Sequence, residues 1–289
     1  MKSKSPTPLI IIAAACLISA AYPRVSGAQI VPPAPAVAPA DRLSYADIAD
    51  LADAAPLVAV AKIRNIIALS PERAGPVPAG HRRLYIEASV ENLIRGDGGI
   101  SPTVSYLYDA PVDMRGKVPK LKKAEVILFA RRGERPGEVQ LVARDAQLPA
   151  TPAYQAKARA VLSELMVNGA PARIVGLGDA FHVAGTIAGE GETQIFLRTE
   201  TGEPVSLSIL RRPGQAPRWA VALGEIVDEA ARPPAPESLL WYRLACTLPP
   251  TLPDRSVAAL QPQDADAARA DYTFVLQSLG RCERSRSNS

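Results

Sequence analysis

Histidine is almost missing from this chain: His81 and His182 are the only two in 289 residues. An H-E-x-x-H zinc motif is therefore absent. So are C-x-x-C pairs and the calcium-loop pattern D-x-[DN]-x-[DN]-G. No G-x-S-x-G elbow presents a serine nucleophile. No P-loop and no dinucleotide fingerprint opens a helix, so the expected cofactor set is none. Aromatic residues make up 5% of the chain, too few for the stacking platforms that hold single-stranded nucleic acid. Past residue 21 no apolar run approaches the roughly 20 residues of a membrane-spanning helix.

What is present begins at the N-terminus. Lys2 and Lys4 precede an uncharged apolar run over 9–21, and Ser26-Gly27-Ala28 supplies the small residues of a cleavage site. This is the pattern of a secretory signal peptide over 1–28, cut before Gln29, which makes the protein periplasmic or secreted. Cys16 invites a lipoprotein reading. Ala13 stands where a leucine is expected and the apolar run continues past Cys16, so an ordinary cleaved leader is preferred. The chain carries 33 basic and 29 acidic side chains. Three of the basic ones, Lys2, Lys4 and Arg24, leave with the leader, and the remainder is nearly neutral. With no domain-wide positive field, nucleic acid is not an expected partner. Cys246 and Cys282 are the cysteines left after cleavage, and in an oxidising compartment they are expected to form one structural disulfide.

Hydropathy patterning predicts a mainly β protein. A Pro/Ala-rich linker covers 29–43. Ser44 caps a short amphipathic helix, and strand-like runs follow over 57–69, 83–94, 103–108, 124–131 and 138–145, with a helix over 151–169. A second antiparallel module spans 170–231, with strands expected over 172–177, 180–187, 193–199, 205–211 and 219–227. Residues 232–282 are expected to form a disulfide-tied helical pair, and 283–289 a disordered tail.

The stretches LVAVAKI, LYIEASVENLIRG and VPKLKKAEVILFARR within 44–145 resemble exported bacterial five-stranded barrels of the OB type. More distantly they resemble netrin and tissue-inhibitor-of-metalloproteinase modules. The resemblance implies an OB-like barrel within 44–169. Those inhibitors start with a metal-chelating cysteine, and this region has no cysteine, so the barrel is implied and the inhibitory mechanism is not.

Three features compete for chemistry. In FHVAGTIAGEGETQIFL, the glycines fit a hairpin turn, because Glu190 and Glu192 would repel the phosphate that a lysine should attract. If Phe181 and Val183 face the core, His182 points outward; His81 sits in a polar turn. The carboxylate pairs Asp109/Asp113, Glu190/Glu192 and Asp264/Asp266 lie at turns or helix starts, where solvated acids are ordinary. The segment DMRGKVPKLKKAE packs Arg115, Lys117, Lys120, Lys122 and Lys123 into nine residues. These five cations suit an anionic polymer, a lipid head group or an acidic protein face, or simply guard a sheet edge. The expectation is a non-enzymatic binding module acting on a protein or other envelope component. Its rivals are a hydrolase with a dispersed site near His182 and a protease-inhibitor-like module.

Overall fold

The computed structural model of the chain describes residues 43–224 and 232–286. The leader, Cys16, most of the linker, and residues 225–231 and 287–289 lie outside the described residues.

Helix α1 (Tyr45–Ala54) starts at a capping box: Asp47 N–H donates to Ser44 Oγ (3.1 Å), and Ser44 N–H donates to Asp47 Oδ2 (2.9 Å). The first sheet follows, from β1 (Leu57–Ala68), β2 (His81–Arg95), β3 (Thr103–Pro111), β4 (Glu125–Arg132), β5 (Val139–Leu141) and β6 (Gln147–Pro149). A one-turn helix, α2 (Pro71–Ala74), lies between β1 and β2, and α3 (Pro152–Leu165) closes this half. The strand order is β3-β2-β1-β4-β5, with β6 beside β4 and every named pairing antiparallel. The two ends of that path meet at one parallel bridge, Ser105 to Glu138, where Ser105 N–H donates to Gly137 O (2.8 Å).

The unbroken apolar run LVAVA in β1 arises because both faces of the strand are covered. Leu57, Ala59, Ala61 and Ile63 join Leu84, Ile86, Val104 and Leu128 in one core. Val58 and Val60, with Ile127 and Phe129 of β4, join a second core with Ile48 and Leu51 of α1 and Val161 and Leu162 of α3. The run expected over 138–145 is strand only over β5, and its remainder is the turn that leads into β6.

The second sheet is a meander of β7 (Ile174–Ala184), β8 (Gly191–Thr199), β9 (Val205–Arg211) and β10 (Arg218–Ala222), in the order β10-β9-β8-β7. The two strands expected over 172–177 and 180–187 are one strand with a register shift between Leu177 and Ala180. Gly178 and Asp179, which look like a turn in the sequence, form a bulge within a continuous ladder. Helices α4 (Leu239–Ala245) and α5 (Pro262–Leu279) complete the chain.

These last helices do not form a unit of their own. Ala268, Tyr272, Val275 and Leu279 of α5 pack on Ile195, Leu207, Ile209 and Trp219 of the second sheet. Helix α4 straddles two cores, with Leu239 and Tyr242 against α1 and α3 and Leu244 against the second sheet. Its buried Arg243 gives both terminal nitrogens to the Asp53 carboxylate (2.8 Å each), which also takes Arg173 Nε (2.6 Å). Cys246, the C-cap of α4, is bonded to Cys282 with Cα atoms 5.1 Å apart. Beyond it, in the segment expected to be a tail, Arg284 pairs with Asp50, Arg286 pairs with Asp145, and the backbone N–H groups of Ser285 and Arg286 donate to buried Asp47. The tail thus stays attached at least to Arg286. No helix among the described residues is long and apolar enough to cross a membrane.

Candidate functional site

The basic segment is the connection between β3 and β4, and its shape is dictated locally. Asp113 Oδ1 accepts the N–H groups of Arg115 and Lys117 (2.9 Å each), and Asp113 N–H donates to Lys117 O (2.9 Å). Gly116 supplies the positive φ of 73° that closes this turn. Val118 and Leu121 tuck against the core of the first sheet. Lys123 adopts φ 70°, a region costly for a side-chain-bearing residue, and its N–H donates to Ile63 O (2.9 Å). The loop is therefore pinned at its tip, middle and exit.

Arg115, Lys117, Lys120, Lys122 and Lys123 are all exposed, and none makes a side-chain hydrogen bond or ion pair among the described residues. The flanking acids make no ion pair with them. Asp113 is engaged with the turn's backbone, and Glu125 pairs with Lys62 (3.3 Å). Arg82, also exposed, stands opposite Ala110 at the base of the loop, and His81 stands opposite Pro111. His81 is exposed, with Nδ1 3.0 Å from Ala79 O. One end of the first sheet thus carries a dense group of exposed cations.

His182 does not point outward as the parity argument expected. The bulge before Ala180 reverses the alternation, so Phe181 and Val183 are the exposed residues (52% and 69%) and His182 turns towards α5. There it meets Thr193, with Nδ1 2.8 Å from Thr193 Oγ1, and Thr193 Oγ1 donates in turn to Asp271 of α5. Arg211 pairs with the other oxygen of the same carboxylate. Thr193 and Asp271 are buried. A hydroxyl has one proton; given to Asp271, it leaves Thr193 a lone pair, so His182 Nδ1 must carry the donating hydrogen. In the neutral ring Nε2 is then the unprotonated nitrogen. It lies beside Gly191, where a β-carbon would fall 2.9 Å from His182 Cε1 and 3.3 Å from Nε2.

The remaining acids do not converge on His182. Glu192 pairs in register with Val183 and so lies on the opposite face of the sheet. Glu190 packs against Gly185. Asp109 is buried and held by Arg83 through two bonds (2.7 and 2.8 Å), and Asp266 and Asp254 flank Arg269. No group of three or more metal-ligating side chains gathers among the described residues. Clefts of about 740 and 540 Å³ lie beside β3 and β5, and one of about 950 Å³ lies beside β9 and β10; none is lined by His182.

Thr193, Arg211 and Asp271 were absent from the sequence-based candidates. Two of them leave a trace in the pattern. Thr193 is a polar residue on the buried parity of Ile195 and Leu197, and Asp271 is a charge on the Ala268–Tyr272–Val275 stripe. Matching the chain against protein-family models and against curated proteins returns no match.

Proposed function

We propose that this is an exported, non-enzymatic binding module that holds an anionic envelope partner through the 113–123 loop. The observation that carries the reading is five exposed cations on a pinned loop whose neighbouring carboxylates are already engaged. A loop that merely solubilises an edge has no need of fixed geometry, whereas fixing the cations lowers the ordering cost of binding. The OB-like barrel belongs to the same proposal. It is supported by the strand order and by the single parallel bridge between Ser105 and Glu138. Export is supported by the disulfide, which persists in oxidising compartments. The test is retention on polyanion-coated beads of the wild type and of a variant with Lys117, Lys120, Lys122 and Lys123 changed to Gln. Loss of retention in the variant is expected; equal retention ends the proposal.

A second reading, a hydrolase working near His182, is favoured by the His182–Thr193–Asp271 chain, which resembles an oriented base. It is opposed by the three clefts described above, none of which His182 lines. A hydrolytic activity abolished by His182→Ala would favour it.

A further inference from the structure

The turn over 113–117 carries one apolar side chain at its apex. Met114 is fully exposed, more so than any other large hydrophobic residue among those described. Arg115 follows it directly, and Lys117, Lys120, Lys122 and Lys123 stand on the same short loop. The apex cannot fold back easily, because Asp113 fastens the N–H groups of Arg115 and Lys117 beneath it. Val118 and Leu121, by contrast, are drawn inward and anchor the loop to the first sheet.

An apolar tip ringed by cations matches one kind of anionic surface better than the others. A soluble polyanion or an acidic protein face engages the ring of charge and leaves Met114 in water. A lipid bilayer with negative head groups engages both, since hydrocarbon lies just beneath the phosphates. The unbranched, flexible methionine chain suits an irregular boundary of this kind. We propose that the loop docks the protein on an anionic lipid surface. Met114 enters the boundary between head groups and acyl chains, while Arg115, Lys117, Lys120, Lys122 and Lys123 lie against lipid phosphates. This inference rests on the reading of the loop as an anion-binding site and adds the identity of the partner.

The experiment is co-sedimentation of the leader-free chain with vesicles of phosphatidylglycerol and phosphatidylcholine, against phosphatidylcholine alone. A parallel arm uses beads carrying inorganic polyphosphate. The wild type is expected to bind the anionic vesicles only, and to bind them less as salt shortens the screening length. Met114→Ser should weaken vesicle binding about tenfold or more while leaving polyphosphate binding intact, and Met114→Leu should behave as wild type. The four-lysine variant should lose about a thousandfold on vesicles and fail on polyphosphate as well. If Met114→Ser binds vesicles as the wild type does, or the wild type holds polyphosphate but not vesicles, membrane docking is overturned while anion binding stands. If the four-lysine variant equals wild type in both arms, both readings fall. All substituted positions are exposed, and equal melting temperatures establish that the variants are folded.

Discussion

His182 donates from Nδ1 to Thr193 Oγ1 at 2.8 Å, and the hydroxyl passes its own proton to a carboxylate buried under α5. This fixes the tautomer of the ring. Nitrogen NMR of the neutral protein should report His182 protonated on Nδ1 and bare on Nε2. Thr193→Val removes the acceptor and should release the ring to a mixture of tautomers. The same change deprives Asp271 of a donor and should cost about 1–3 kcal/mol. A wild-type spectrum with Nε2 protonated would contradict the proton assignment.

Gly191 is required by the same ring. A methyl group there meets His182 Cε1 at 2.9 Å, too close for ordinary contact. Gly191→Ala should therefore destabilise the protein by about 1–3 kcal/mol, in the range for overpacking. In a His182→Ala background most of that cost should vanish, and a double-mutant cycle in urea reads the difference. Additive effects would mean that the nearby Val183 carbonyl, not the imidazole, sets the limit.

The Cys246–Cys282 bridge spans 36 positions. Chain-entropy arguments give a closed loop of that size about 3–4 kcal/mol. Replacing both cysteines by serine should lower the urea midpoint accordingly. Reducing agent should have the same effect on the wild type and none on the variant.

Acid should unfold the protein through three aspartates. Burial pushes the carboxyls of Asp47, Asp53 and Asp145 upward, but hydrogen bonds outweigh it and hold all three below the usual range. The donors are Ser285, Arg286 and Ser44 for Asp47, Arg243 and Arg173 for Asp53, and Arg286 for Asp145. Each carboxyl binds protons less readily folded than unfolded, so its contribution is complete above the unfolded value of about 3.9. That contribution disappears as pH falls through the lower folded value. Melting temperature should hardly change between about pH 7 and 5 and should drop steeply below about pH 4. Asp53→Asn should flatten that drop.

The sequence discloses what short-range patterning controls. Leu84, Ile86 and Ala88 alternate with polar neighbours and are buried, and Ser44 caps α1 as its side chain suggests. Cys246 and Cys282 follow helices, and they are bonded. The orientation of His182 was not legible, because one bulge at Gly178–Asp179 reverses the parity of every residue after it. Asp271 lies 78 positions from the threonine that it contacts, a separation that no local pattern encodes. The basic loop was visible as composition; its engaged carboxylates and exposed Met114 emerge only from the turn geometry.

The hold of Asp47 on Ser285 and Arg286 bears on how the molecule is assembled over time. The contact joins the first described helix to residues 238 and 239 positions later, which leave a ribosome long after it. A chain delivered from its N-terminus can build β1 to β4 early. Asp47, however, is buried in a site completed only by Ser285 and Arg286. Synthesis from the N-terminus therefore leaves α1 waiting, and this contact closes only once residue 286 has emerged. A chain stopped before residue 284 would emerge with that carboxylate short of the Ser285 and Arg286 donors, with its first helix loosened rather than its last.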